Sequence, residues 1–433
     1  MTRIAVYGAG GVGGYFGARL AQAGAEVHFL ARGAHLQALR EHGLEVRSVK
    51  GDFQVRVQAT DDPADIGPCD FVLFCVKTFD TDAAAARLGP LLGDGTAVVS
   101  LQNGVENEEK LARAVGEEHV MGGAAFIFAG IAEPGVIVHS GGPASITFGE
   151  LDGRATQRAR CLLAWCERAG FQAELSASIK AVLWAKLAFI CAQAGMTAAV
   201  RLPIGEIRSV DVAWAAFKRL VAEVCAVAEA DGSPVPQAAQ DSALALAQAI
   251  EPGSFSSLHD DLVAGRRMEL EALHGFVVRR AAQHALAVPT SEAVYAILQP
   301  WAVRNQQAAE RADLRALPHR SADARNPPAM WARASAVLIR RYVSTSSPER
   351  RRAARASATW SRTGWGTSST RRSTTSAHRY PSAATEGSGQ LGSVTDASSS
   401  RKAIASGRGV TEAVMFSWTR GSREEIRTPP PAT

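Results

Sequence analysis

Three sets of residues in this chain have types and spacings that can do chemistry. The first is Gly8-x-Gly10-x-x-Gly13, entered from a short β-branched run (Ile4, Val6) and left through residues 15–23 of helical character. Strand, tight turn and helix in that order form a cradle for a dinucleotide pyrophosphate. Gly8 lets the chain turn sharply, Gly10 leaves bare backbone for the phosphates, and Gly13 lets the helix pack closely on the sheet. Gly11 and Val12 complete the turn as candidate cofactor contacts, and the helix N-terminus that follows offers free N–H groups and a partial positive charge that suit a phosphate. The second is Arg32, which closes the strand Glu26-Val-His-Phe-Leu-Ala-Arg32. An NAD site usually carries an acid there, about 20 residues past the glycines, to bond the ribose 2′-hydroxyl. A guanidinium bonds phosphate oxygens in pairs, so Arg32 predicts NADPH. The third is Lys186, inside the apolar run Leu183-Trp-Ala-Lys-Leu-Ala-Phe189, with the acid-bearing stretch at 256–271 behind it. Desolvation lowers the pKa of a buried ammonium, and an unpaired one is costly. Either Glu269 or Glu271 can supply the partner. A charged lysine in a cleft can give its proton to a carbonyl under reduction; the plainer reading is a packed stem with its amine in water.

The elements that must position these groups fall into two textures. Residues 1–150 alternate strand and helix signals. Phe71-Val-Leu-Phe-Cys-Val76 is a continuous apolar run, as a buried parallel strand should be. Helix is expected at 83–88 and from 107 to 114, strand at 97–100, 119–128, 136–139 and 145–148, and a closing helix and strand at 156–169 and 171–175. From 179 the strand signal vanishes, and helices are expected at 179–200, 210–231, 236–250, 257–284 and 290–299. The fold class is α/β: a Rossmann-type doubly wound domain at 1–177 and an all-α domain at 178–303, with substrate meeting cofactor between them.

Residues 304–433 form a third texture. From Arg304 on there are 22 Lys and Arg against 9 Asp and Glu, a net of +13, so the first 303 residues carry −8 of the chain's +5. The basic character belongs to the tail, and the acidic body argues against nucleic-acid binding. The tail's composition cannot bury a core and reads as disordered. Its Arg/Ala/Ser/Thr/Gly-rich text resembles GC-rich DNA translated out of frame more than a binding tail. All 6 cysteines lie in the body, none in a C-x-x-C pair, and no Cys/His spacing suits a metal. Reduced thiols and the lack of a signal peptide predict a cytoplasmic protein. Residues 181–200 are long and apolar enough for a membrane span, but Lys186, Gln193 and Gly195 make a buried helix the better reading. No Gly-x-Ser-x-Gly elbow or Walker pattern occurs, and Asp260-Asp261 reads as a solvated helix face.

Taken in order over about 1–303, these pieces resemble the ketopantoate reductases (2-dehydropantoate 2-reductases). Besides the glycine turn and Arg32, they are Val76-Lys77-Thr78, Gln102-Asn103-Gly104-Val105-Glu106-Asn107, Trp184-x-Lys186, Pro203-Ile-Gly-Glu206, Ser256-Ser257, Arg266-Arg-Met-Glu-Leu-Glu271 and Ala287-Val-Pro-Thr290. The resemblance implies hydride transfer from NADPH to the C2 carbonyl of 2-dehydropantoate, giving pantoate on the way to coenzyme A. It implies that Lys186 gives the proton and that Glu269 bonds the substrate hydroxyl and interacts with that lysine. Ser257 is implied to bind substrate, Asn103 to lie near nicotinamide and substrate, and Arg32 and Lys77 near the adenosine phosphate. The chain departs from the family where asparagines are expected four and eight residues after the lysine, which are Ile190 and Ala194, and at Ser254. Gln193 and Thr197 share the lysine's helix face and are candidates to compensate. The expected partner is a small 2-oxo acid, with no nucleic acid or membrane, and a homodimer is left open. A 3-hydroxy acid dehydrogenase of the same plan and a non-catalytic NADP sensor are the alternatives; a sensor needs neither Lys186 nor Glu269.

Overall fold

The computed structural model describes residues 2–316. The first half runs β1 (Arg3–Tyr7), α1 (Gly11–Gln22), β2 (Glu26–Leu30), α2 (Gly33–His42), β3 (Leu44–Ser48), β4 (Phe53–Val55), β5 (Gln58–Thr60), β6 (Phe71–Phe74), α3 (Thr81–Ala85), β7 (Ala97–Ser100), α4 (Asn107–Val115), β8 (Val120–Glu133), β9 (Val136–Glu150), α5 (Gln157–Arg168) and β10 (Gln172–Leu175). One sheet orders them β4-β3-β9-β8-β7-β6-β1-β2-β5, with β10 alongside β9. Pairing is parallel except at β8/β9 and β3/β4. β6 is buried at every residue, because helices cover both faces of a doubly wound sheet. Its chain order reverses next to β1, so the loops after β1, β6 and β7 open on one crevice, where such folds bind ligands.

The second half is helical: α6 (Ile179–Val200), α7 (Ile204–Ser209), α8 (Asp211–Ala230), α9 (Gln237–Ala249), α10 (Ser257–Val263), α11 (His274–Gln283) and α12 (Pro289–Ala316). α6 is apolar nearly all round because neighbours cover it nearly all round. It packs against α8, α9, α10 and β8, and Ala124 and Phe126 of β8 join its core cluster. Among the described residues it is the one helix long and apolar enough to cross a bilayer, and 89% of its most apolar window lies inside the protein.

The structure differs from the sequence expectations in four places. Short, partly exposed β3, β4 and β5 went unforeseen, since three to five residues carry little periodicity. The segments 136–139 and 145–148 are one strand, β9, irregularly paired to β8 around Gly141, Gly142 (φ 80°) and Ala144 (φ 50°). The expected helix 257–284 is broken: Gly265 takes φ 67°, α10 stops before it, and a 3₁₀ turn at Leu270–Ala272 precedes α11. The last helix passes Pro300 and continues to Ala316, so residues 304–316 are helix rather than tail. That stretch is rich in Ala, Arg, Gln and Glu, all good helix formers. Asn305 there is buried and donates to the Arg266 carbonyl at 2.9 Å. The expectations for 317–433 lie outside the described residues.

Candidate active site

The glycine turn is built from backbone. Gly8 has φ 105° and donates its N–H to the Leu30 carbonyl at 3.2 Å. A Cβ on it would lie 2.9 Å from the Cys75 carbonyl carbon. A Cβ on Gly13 would collide with the Gly8 carbonyl oxygen and stand 2.9 Å from Val6, so Gly13 serves helix packing. Gly11 is pressed against the Ala129 carbonyl of β8, which leaves no room for a side chain. Gly10 differs: nothing lies within 4 Å of where its Cβ would be. It is also the N-cap of α1 and offers no side-chain cap to the helix's first N–H groups. Bare space beside uncapped N–H donors fits a pyrophosphate.

Gly10, Gly11 and Val12 form one end of a cavity of about 680 Å³, within the range of ligand sites. Lys77, Asn103, Lys186, Gln193, Ser254, Ser257 and Glu269 line the same cavity. The structure thus gathers residues up to 259 positions apart around one space. Gly8, Gly13 and Arg32 do not line it. Arg32, the N-cap of α2, is 81% exposed and donates to Asp80 Oδ2 at 3.0 Å. Arg267 approaches the other oxygen of Asp80 at 3.5 Å and lies over the Phe79 ring.

Lys186 is 7% exposed on α6, its ammonium 5.5 Å from the centre of the Phe126 ring. Among the described residues it makes no hydrogen bond or ion pair. Burial pulls its pKa down to about 8, against the opposing fields of Glu269 and Glu108. Glu269, just before the 3₁₀ turn, accepts from Thr78 N–H at 2.9 Å and from Lys77 Nζ at 3.0 Å. Lys77 also reaches Asp261 Oδ2 at 3.3 Å, and Arg266 donates to Asp261 Oδ1 at 2.7 Å. Burial works against the Lys77 charge, but the two carboxylates outweigh it and hold its pKa above the ordinary lysine value. Glu269 is therefore in direct contact with Lys77, and its influence on Lys186 is through space. Glu271, the other candidate partner for Lys186, turns away to Arg279 and the Tyr295 hydroxyl, each at 2.7 Å.

Two further expectations are corrected. Asp261 is not on a solvated face: it is 7% exposed and ties the helical half to Lys77. The break at Gly265 turns the following chain back, so that Arg266 N–H donates to the Asp261 carbonyl. Thr197 is not free for substrate: its hydroxyl bonds the Gln193 carbonyl at 2.7 Å and Ser256 Oγ at 2.8 Å. Ser256 in turn caps α10 at His259 N–H, and this fixes the neighbouring Ser257, the exposed first residue of that helix. The Gln193 side chain is buried at the cavity wall and makes no hydrogen bond among the described residues. Gln102, given no role beforehand, donates to the Val76 carbonyl and Thr81 Oγ1, both at 2.8 Å, and so anchors the loop carrying Asn103. Its place in the Gln-Asn-Gly run was the available signal. The cavity lining also includes the apolar side chains of Phe126, Phe189, Ile190, Ala194 and Leu246.

A Rossmann-type domain whose bare glycine turn shares a cavity with a buried, unpaired lysine from a helical domain defines a nicotinamide-dependent oxidoreductase. Residues 4–153 match the ketopantoate reductase PanE/ApbA family and residues 178–302 match its C-terminal domain. The chain belongs to the ketopantoate reductase family and is an oxidoreductase acting on CH–OH groups. It is 34% identical over 289 residues to a 2-dehydropantoate 2-reductase of Halobacterium salinarum, covering 66% of this chain and 94% of that one. A solved PanE/ApbA family ketopantoate reductase from Ralstonia eutropha is 34% identical, with a TM-score of 0.65 over 70% of this chain and all of that one. A D-mandelate dehydrogenase solved with NADH and anilino(oxo)acetate shares the fold at 20% identity, with a TM-score of 0.64 over 70% of this chain and 99% of that one.

Proposed function

We propose that this protein reduces a small 2-oxo acid with NADPH, 2-dehydropantoate first among them, in the cytoplasm. The observation that carries the reading is Lys186: a buried ammonium with no hydrogen-bond partner among the described residues, on the wall of the cavity that the glycine turn enters. When bound, the nicotinamide supplies the hydride. Negative charge then grows on the carbonyl oxygen, and the Lys186 ammonium stabilises it and gives up a proton there. A pKa of about 8 suits that task, since the group is charged near neutrality yet gives up its proton readily. In this reading Glu269 and Ser257 hold the substrate's oxygens, with Ser254 and Gln193 beside them, and Asn103 orients substrate against nicotinamide. Gly10, Gly11 and Val12 take the pyrophosphate, Gly8 and Gly13 shape that turn, and Arg32 takes the 2′-phosphate. Lys77 lies within reach of Glu269 and links cofactor and substrate ends. The apolar walls at Ile190 and Ala194 favour a second reading inside the same chemistry: a 2-oxo acid with a larger, less polar side chain.

The test is purified full-length protein with NADPH and a panel of 2-oxo acids, following loss of reduced cofactor. Turnover of 2-dehydropantoate well above the rest supports the first reading, and preference for a bulkier apolar acid supports the second. No oxidation with any member ends the reductase assignment.

A further inference from the structure

The field of a second buried acid, one that the proposed reaction does not use, reaches Lys186. Glu108, in the first turn of α4, is 5% exposed, and among the described residues neither carboxylate oxygen has a partner at hydrogen-bonding geometry. The Ser100 hydroxyl at the end of β7 is equally buried, equally unpartnered, and beside that carboxyl. The neighbouring Glu109 instead points outward to Arg280 at 3.0 Å. The fold turns Glu108 inward through the Asn103 loop, which Asn107 Nδ2 ties down by donating to the Asn103 carbonyl at 2.9 Å. Two glycines of β8 allow close approach on either side, Gly122 to α6 and Gly123 to the end of β7. A Cβ on Gly122 would stand 2.9 Å from Ile179 and 3.3 Å from Leu183, and one on Gly123 would stand 2.6 Å from the Ser100 carbonyl oxygen. Lys186 is one helical turn beyond Leu183, on the same side of α6. A buried charge is kept only where something opposes its desolvation.

We infer that Glu108 is a positioning residue for the proton donor: its carboxylate keeps the Lys186 ammonium charged from the β7–α4 side, while Glu269 does so from the helical half. The inference rests on the reductase reading for the role of Lys186. The groups facing the pair are few. Lys186 meets the fields of Glu269 and Glu108, and Glu269 is itself engaged by Lys77, which Asp261 shares. Glu108 meets Ser100, Lys186 and, on its own helix, Glu109. Burial raises the Glu108 pKa to about 7; its own N–H, the Ser100 hydroxyl and Lys186 ease it back, and Glu109 adds to the rise. Acid and ammonium thus titrate as a coupled pair near neutrality. Removing the Glu108 charge leaves the burial of Lys186 less opposed, so the lysine loses its proton at lower pH.

The experiment compares full-length wild type and Glu108→Gln, which keeps the size and removes the charge, for kcat and KM across about pH 6 to 10. The alkaline limb of kcat is expected to move down by about one pH unit. Near pH 8 that lowers kcat about fivefold, with the KM for NADPH changed less than about twofold. An unmoved limb in a folded variant overturns the inference. A second measurement needs neither turnover nor that variant's folding. In infrared titrations of the cofactor-free protein, the buried protonated carboxyl is expected to persist to higher pH in Lys186→Met than in wild type. A band that titrates identically in both overturns the coupling. Should no 2-oxo acid be reduced, the reductase reading fails on its own, and the infrared titration still decides whether Glu108 and Lys186 are coupled.

Discussion

The two ends of the cavity are made of different material. At the proposed cofactor end the candidate groups are backbone N–H donors at the start of α1, and the side chains that matter are the ones missing at Gly8, Gly10, Gly11 and Gly13. At the proposed substrate end the candidate groups are side chains from distant elements: Lys186 on α6, Ser257 on α10, and Glu269 in the broken stretch before α11. Backbone donors have fixed geometry and no titration. Charged side chains brought together from distant elements have a field, and each sets the protonation of the others. Damage at one end should therefore change occupancy, and damage at the other should change chemistry and its pH dependence.

The largest expected effect is at the substrate end. Lys186→Ala should lower kcat by about a hundred- to ten-thousand-fold while NADPH binding, measured by fluorescence titration, stays near wild type. Weak cofactor binding in that variant would make Lys186 structural and dissolve the contrast. At the cofactor end, Gly10 and Gly13 have separable roles. Gly10→Ala adds its methyl to open space, so thermal stability should hold while the NADPH dissociation constant rises about tenfold. Gly13→Ala pushes into Gly8 and Val6 and should lose about 1–3 kcal/mol of stability. Equal losses of stability in the two variants would refute the assignment of separate roles. The smallest effect belongs to Arg32→Ala. Arg32 is exposed and shares its charge with Asp80, so its removal should weaken NADPH about five- to tenfold and leave NADH unchanged. A variant that still prefers NADPH as strongly as wild type would move the 2′-phosphate contact elsewhere.

How much could be read beforehand follows the same division. The turn after β1 was legible because its glycines sit within six residues of one another, directly between a strand and a helix. Lys186 was legible as an anomaly, a charge in an apolar helix. Its surroundings were not. Residue pattern alone leaves Glu269 and Glu271 as equal candidates and only the family resemblance favours Glu269; the break at Gly265 and the 3₁₀ turn send one to Lys77 and the other to Arg279. Asp261 read as solvated because its partner Lys77 is 184 residues away. Glu108 gave no signal at all, since an acid in the first turn of a helix is ordinary there. The extension of α12 to Ala316 was hidden by the Arg-rich composition that follows it.

Local conformational rules act over a few residues, so the chain by itself determined the strand–turn–helix, the succession of an α/β half and an all-helical half, and the presence of one lysine out of place. Electrostatic environment is a property of shared space. Only the tertiary structure decided that Lys186 lies between Glu269 and Glu108 in field though bonded to neither, that Lys77 holds Glu269 and Asp261 together, and that Thr197 is spent on Ser256. Each of those outcomes depends on which charges and dipoles are buried side by side, and no spacing along the chain encodes that directly.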